Sequence, residues 1–235
     1  MSKRTVKQRV QERRSRRQSQ GLVIGGVVIA AIAVVVILVA LGNASTAAAP
    51  VDVTRYQGLP QEIDRTGAPG LSLGSKDAVA TLVEYSDFSC PHCRDMADTI
   101  HQLIDQYVRD GKLRIIYKPV SFINPTYSPS AARAVLCGAE QGKGWEMHDA
   151  VWSVFDSNSP GAYSLDVFAV QASAIQLDMP KFRQCYDASS TTTALAELEA
   201  ERVRLGVNST PTILLNGQII DIANIFAEVQ AAVGG

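Results

Sequence analysis

Four cysteines stand in this 235-residue chain, and two of them, Cys90 and Cys93, enclose Pro91 and His92 in a C-x-x-C unit. A cysteine is a nucleophile and a redox group only as its thiolate, so what matters is whatever lowers the cost of that charge. At the start of a helix, Cys90 would face backbone N–H groups that lack an intrahelical partner and the positive end of the helix dipole. Pro91 suits the first helical turn because its missing donor is not needed there. His92 adds a ring that can donate to the Cys90 sulfur and, when protonated, offset its charge. Each effect favours the reduced thiolate, and a stabilised reduced form makes the disulfide a stronger oxidant. Cys93, one turn inward, reads as the resolving thiol. The competing readings are a structural bridge or half of a zinc site. A zinc site needs four ligands, and the other two cysteines lie far apart in sequence and form no second C-x-x-C knuckle.

Three further positions bear on the pair. Glu84 interrupts an apolar run six residues before Cys90, where an ionisable group is costly unless paired or neutral. From there it could reach beneath the motif and exchange a proton with Cys93, or it could reach solvent as a strand-end residue. Thr210-Pro211 precedes a second apolar run, and a proline at a strand start fits its lack of a donor. A cis bond there would bend the loop against the cysteines and leave backbone groups of Thr210 free to pair with an extended substrate, whereas a trans bond would make it an ordinary strand start. Cys137 and Cys185 are expected to form a structural disulfide whose loop closure is worth ~4 kcal/mol, the alternative being two free buried cysteines. No metal site and no cofactor is expected.

The elements that must position these residues can be read from periodicity. Ala78–Tyr85 is an apolar, partly β-branched run suited to a strand buried on both faces. Cys93, Met96, Ala97, Ile100, Ile104 and Tyr107 then form a helical stripe that stops at Gly111. Leu113–Tyr117 follows as a second strand, so a right-handed βαβ unit with C-x-x-C at its first turn is expected. Helices are expected at 129–141, 145–155, 165–175, 179–186 behind an Asp178 cap, and 192–204. His148, Trp145, Trp152 and Phe155 read as core of that block, and His101 as solvent-facing. Strand character returns at Thr212–Leu215, with Asn216-Gly217 as a type I′ hairpin signal before Gln218–Ile220, and Ile222–Val233 closes as a helix. The order β-α-β, helical block, β-β-α predicts an α/β thioredoxin-like fold with a helical insertion at about 124–204.

Ahead of this domain the chain changes character. From Gly21 to Leu41 there is no charge, and at ~1.5 Å per residue this run reaches across a bilayer core. Residues 1–20 carry eight basic side chains against Glu12 alone, which predicts a cytoplasmic N-terminus and an outward-facing domain. The alternative is a cleaved secretory signal with Ala47-Ala48-Ala49 at its end. We therefore divide the chain into a basic cytoplasmic tail (1–20), a single transmembrane anchor (21–42), a linker (43–70) and the domain (71–235). Eight of 22 basic and one of 23 acidic residues lie in the tail, leaving 14 against 22 in the part beyond the anchor, an acidic balance that argues against nucleic-acid binding. An oxidising compartment outside the membrane is also where disulfides persist.

Glu84-Tyr85-Ser86-Asp87-Phe88-Ser89-Cys90-Pro91-His92-Cys93, Trp145-Glu146-Met147-His148-Asp149 and Gly206-Val207-Asn208-Ser209-Thr210-Pro211-Thr212 together resemble the DsbA family over about Lys76–Val233. The resemblance implies Cys90 as nucleophile, Cys93 as resolving cysteine, Glu84 as buried acid and Pro211 as cis-proline. It also implies donation of disulfides to exported proteins with free thiols, and reoxidation by a membrane enzyme of the DsbB or vitamin K epoxide reductase type. Two departures stand out. Thr210 before the proline resembles the isomerase and reductase branches, so a thiol reductant or isomerase is the second reading. The second cysteine pair and the anchor resemble the Gram-positive, particularly actinobacterial, branch. A third reading, a non-catalytic membrane-tethered binding module, does not need the intact cysteines. With no separate dimerisation domain expected, the protein is expected to be a monomer.

Overall fold

The structure is a computed structural model that describes residues 51–158 and 160–234. The basic tail and the apolar run expected to cross a membrane lie outside the described residues. Among the described residues, no helix is long and apolar enough to cross a membrane.

Six strands form one sheet in the order β1-β2-β4-β3-β5-β6: β1 (Gln61–Asp64), β2 (Gly70–Leu73), β3 (Ala80–Ser86), β4 (Leu113–Pro119), β5 (Thr212–Leu215) and β6 (Gln218–Ile219). Only β3 and β4 are parallel, and helix α1 (Pro91–Leu103) joins them, continuing as a π-turn over Ile104–Val108. Leu82, Ile100, Leu103, Ile104 and Ile115 are fully buried where α1 meets the sheet. A strand covered on both faces reads as a continuous apolar run, which is why β3 and β4 are visible in the sequence.

Between β4 and β5 lie the inserted helices α2 (Ser128–Ala139), α3 (Gly144–Asn158), α4 (Leu165–Ala174), α5 (Met179–Asp187) and α6 (Ser189–Arg204), and α7 (Ile225–Val233) closes the chain. Asp178 caps α5 as its sequence predicts, its carboxylate accepting from the Lys181 N–H at 3.1 Å. Helices α2 and α3 approach closely because residue 138 is glycine: a Cβ there would come within 2.6 Å of Met147 Cβ. Cys137 and Cys185 are joined as a disulfide between α2 and α5, with Cα atoms 5.7 Å apart. Asn216 and Gly217, with φ of 49° and 82°, make the β5–β6 turn, and Asn216 also accepts from the Thr81 N–H at 2.9 Å, fastening the hairpin to β3.

Two features differ from the sequence reading. The linker assigned to 43–70 contains β1, which belongs to the sheet. Its Gln-Glu-Ile-Asp sequence has one apolar residue and little strand propensity. It is held instead by pairing to β2 and by Arg114, which contacts Glu62 and Asp64 at 3.1 and 3.0 Å. His101, expected to face solvent, is half-buried with its Nε2 3.0 Å from Asp149 Oδ1. Asp149 also accepts from Tyr56 OH at 2.7 Å and lies 2.9 Å from His148 Nδ1, so the segment before β1 is tied to both α1 and α3. His148 is buried in the insertion as expected, with its ring 5.3 Å from that of Trp145 and its Nε2 accepting from Trp152 Nε1 at 3.0 Å, and it also reaches Tyr117 on the sheet, with ring centroids 4.7 Å apart.

Candidate active site

Strand β3 ends at Ser86, and the next few residues turn the chain so that Cys90 becomes the N-cap of α1 with Pro91 in its first turn. The turn is fixed from within. Cys90 N–H donates to Asp87 O at 2.9 Å, and the N–H groups of Cys93 and Arg94 donate to Cys90 O at 3.1 and 3.2 Å. Asp87 itself is buried, accepting from Ser128 Oγ at 2.6 Å, Ser89 N at 2.8 Å and Ile123 N at 2.9 Å. The loop carrying the cysteines is thereby pinned to the start of α2. This anchor escaped the sequence reading, because a carboxylate three residues before the motif looks the same whether it faces solvent or three donors.

The two sulfurs occupy unlike surroundings. Cys90 retains 6% exposure and its Sγ lies 3.4 Å from Thr210 O, while Cys93 is fully buried and its sulfur accepts from the Asp87 N–H at 3.5 Å. The Cys93 thiol beside it, then Thr210 and the backbone N–H groups of Cys93 and His92, hold the Cys90 thiol down at about 5 against the opposing effect of burial. Cys93 moves the other way, pushed well above the ordinary thiol range by burial first, then by its partner sulfur and the Glu84 charge. The surroundings thus favour Cys90 as thiolate and Cys93 as thiol at neutral pH, the division that an attacking and a resolving sulfur would need.

The remaining predicted residues surround this pair. Thr210-Pro211 is a cis peptide, and its loop lies against Cys90. His92 is exposed, and it is its backbone N–H, not a hydrogen bond from the ring, that faces the Cys90 sulfur. Together with Asp95, Met96, Thr99, Thr210, Pro211 and Ile222 it lines an open groove of about 460 Å³ beside the cysteines. Glu84 lies in β3 at 1% exposure, between Tyr117 of β4 and Ile213 of β5, and does not reach solvent. Burial pushes its carboxyl up to about 8, tempered by Ser86, so it is mostly protonated at neutral pH.

That position has a consequence for stability. A carboxyl whose folded pKa is raised binds its proton more tightly folded than unfolded, so stability is greatest below the unfolded value near 4.5 and falls as pH rises toward 8. Glu84→Gln should therefore raise the melting temperature by several degrees at pH 8.5 and leave it nearly unchanged at pH 4. Thermal unfolding at the two pH values checks this, and an equal shift at both would show that the carboxyl does not titrate in the fold.

Comparison with known proteins agrees with this geometry. A family model described as Thioredoxin matches residues 67–234. The thiol-disulfide oxidoreductase MdbA of Corynebacterium diphtheriae superposes with a TM-score of 0.62, covering 77% of this chain and 99% of that one at 18% identity, a likeness of fold. Among curated relatives, the probable disulfide bond formation protein D of Bacillus cereus is 22% identical over 152 residues, 63% of this chain and 70% of its own length. The Na(+)/H(+) antiporter NhaA 3 of Salinispora tropica is 30% identical over 148 residues, 62% of this chain but 21% of the antiporter, so the chain spans only about a fifth of that relative. With the family model covering most of the chain and the cysteine pair, cis-proline and buried acid in one place, the chain belongs to the thioredoxin family, with the fold of the DsbA-type thiol-disulfide oxidoreductases.

Proposed function

We propose that this thioredoxin-family oxidoreductase donates its Cys90–Cys93 disulfide to exported proteins bearing free thiols, from a position outside the cytoplasm on a membrane anchor formed by residues 21–42. The observation that carries the reading is the placing of the Cys90 sulfur at the start of α1, beside the Cys93 thiol and facing the backbone N–H groups of His92 and Cys93, where it is favoured as an anion. A client thiolate attacks the Cys90 sulfur of the disulfide, forming a mixed disulfide and releasing Cys93. The client's second thiolate then attacks its own sulfur in the mixed disulfide, and Cys90 departs as a stable thiolate. A low-pKa thiol leaves faster, so the same surroundings that stabilise the reduced form also favour transfer of the disulfide.

The groove, lined by apolar Met96, Pro211 and Ile222 together with polar His92, Asp95 and Thr99, suits an extended client segment, with the backbone of Thr210 pairing to it as to an added strand. The anchor and outward orientation rest on the uncharged run from Gly21 to Leu41 and the basic residues before it. Restoring the disulfide calls for a membrane reoxidase of the DsbB or vitamin K epoxide reductase type.

The test is a mixture of the oxidised full chain in detergent with a reduced, unfolded protein that has two cysteines, followed by thiol counting. One client disulfide should form for each Cys90–Cys93 dithiol produced. A client that stays reduced would refute donation. An equilibrium lying toward the enzyme's own disulfide would instead favour the reductant reading that Thr210 suggests.

A further inference from the structure

Beneath the cysteine pair, on the sheet face that α1 covers, three polar atoms have no hydrogen-bond partner among the described residues: Glu84 Oε2, Ser86 Oγ and Tyr117 OH. Their residues are 1%, 0% and 1% exposed. Buried polar atoms are normally paired, so three orphans in one place call for an explanation. The backbone brings them together: Glu84 and Ser86 are two apart on β3 and share a face, while the parallel register sets Tyr117 of β4 beside Glu84. The Cys93 sulfur is held 3.5 Å from the N–H of Asp87, the residue that follows Ser86, so the Ser86 hydroxyl lies at the end of the strand face between the Glu84 carboxyl and that sulfur, out of hydrogen-bond contact with either in this resting state. A hydroxyl rotates and can accept from one neighbour while donating to another. A core built only for packing would be better served here by alanine and phenylalanine.

We propose that Ser86 relays the proton between Glu84 and the Cys93 sulfur during disulfide exchange, and that Tyr117 is a positioning residue that steadies the Glu84 carboxylate once its proton has left. The inference deepens the disulfide-exchange reading and rests on it. When a thiolate bonds to the Cys90 sulfur, the Cys90–Cys93 bond breaks and its electron pair leaves on the Cys93 sulfur. Ser86 gives its hydroxyl proton to that sulfur and takes the carboxyl proton of Glu84, leaving a carboxylate to which Tyr117 OH can donate. When the Cys90–Cys93 disulfide is restored, the Cys93 proton returns to Glu84 by the same route. Thus no bare thiolate persists in the buried position, where burial most disfavours it.

Other groups facing this site could also titrate: Cys93 from α1, Tyr117 from β4, Asp87 after β3, and His148 of α3, packed edge-on against Tyr117; Ile213, opposite Glu84 on β5, carries no charge. The experiment must therefore separate Glu84 from them. Single-turnover cleavage of the oxidised full chain by glutathione is followed against pH, with correction for glutathione ionisation and in light and heavy water. The unmodified protein should lose rate as pH rises through about 8 and show a solvent isotope effect. Ser86→Ala should slow cleavage roughly ten- to a hundredfold and abolish that pH limb. Tyr117→Phe should move the limb to higher pH, because the carboxylate loses a donor. Each variant removes only an unpartnered oxygen, so both should melt no lower than the unmodified chain. Ser86→Ala and Glu84→Gln together should be little slower than the worse of the two alone, as expected for residues acting in series.

An unchanged rate and pH limb in Ser86→Ala, or rate losses that simply multiply in the double variant, would overturn the relay while leaving disulfide exchange intact. Absence of cleavage in the unmodified protein would overturn the exchange reading itself, and the relay with it.

Discussion

Replacing Cys90 by serine is expected to reduce disulfide transfer to the uncatalysed background, a loss on the order of a thousandfold or more, with little change in fold. A serine hydroxyl cannot form a disulfide with the client. The surroundings that matter are also specific to this sulfur. With its thiol held at about 5, Cys90 is largely ionised at pH 7, whereas an unperturbed thiol would be ionised only about a few times in a hundred. The replacement separates the enzyme from a tethered binding module of the same fold, because the module would keep its activity. Cys93→Ala supplies the complementary result: the thiolate still attacks, but the resolving thiol is gone, so a client carrying a disulfide should accumulate as a mixed disulfide on Cys90, seen as one client mass added to the chain.

The second large effect concerns the helical insertion. Removing the Cys137–Cys185 bridge by alanine at both positions is expected to destabilise the domain by about 4 kcal/mol, the chain-entropy value for closing a loop of 48 residues. At this domain size that lowers the melting temperature by roughly 10 °C. The bridge ties α2 to α5, and α2 also carries Ser128, which holds Asp87 beside the redox loop. Loosening the insertion should therefore lower the thermal midpoint first and disturb the cysteine pair only near that midpoint. Calorimetry of the double variant, with the active-site thiols counted across the transition, measures both. A midpoint within 2 °C of the unmodified chain would show that packing of α2 against α3, not the bridge, holds the insertion.

What the sequence discloses and what it withholds divide along physical lines. The β3–α1–β4 unit is legible because its strands are buried on both faces and its helix carries an apolar stripe at helical spacing. The β5–β6 hairpin is legible because Asn216 and Gly217 tolerate the positive φ that the turn imposes. Strand β1 is not, because its place depends on Arg114, some fifty residues further on, rather than on its own side chains. The same holds at the site. Cys90, Cys93, Glu84 and Pro211 declare themselves by chemical type and position. Asp87, Ser86 and Tyr117 do not, because their significance comes from what the sheet register and α2 place against them. One signal was available: Glu84 and Ser86 share a strand face, so a polar pair on the buried side of an otherwise apolar strand could have marked the relay.

The central claim is that the fold keeps one sulfur anionic and its neighbour protonated, and thiolate absorbance near 240 nm in the reduced full chain, titrated from pH 3 to 9 with the oxidised chain as reference, measures it directly. The account predicts a single thiolate appearing with a midpoint near 5 and absent in Cys90→Ser, with no second thiolate below pH 9. A midpoint near 8.5 to 9, where an ordinary cysteine ionises, would contradict it.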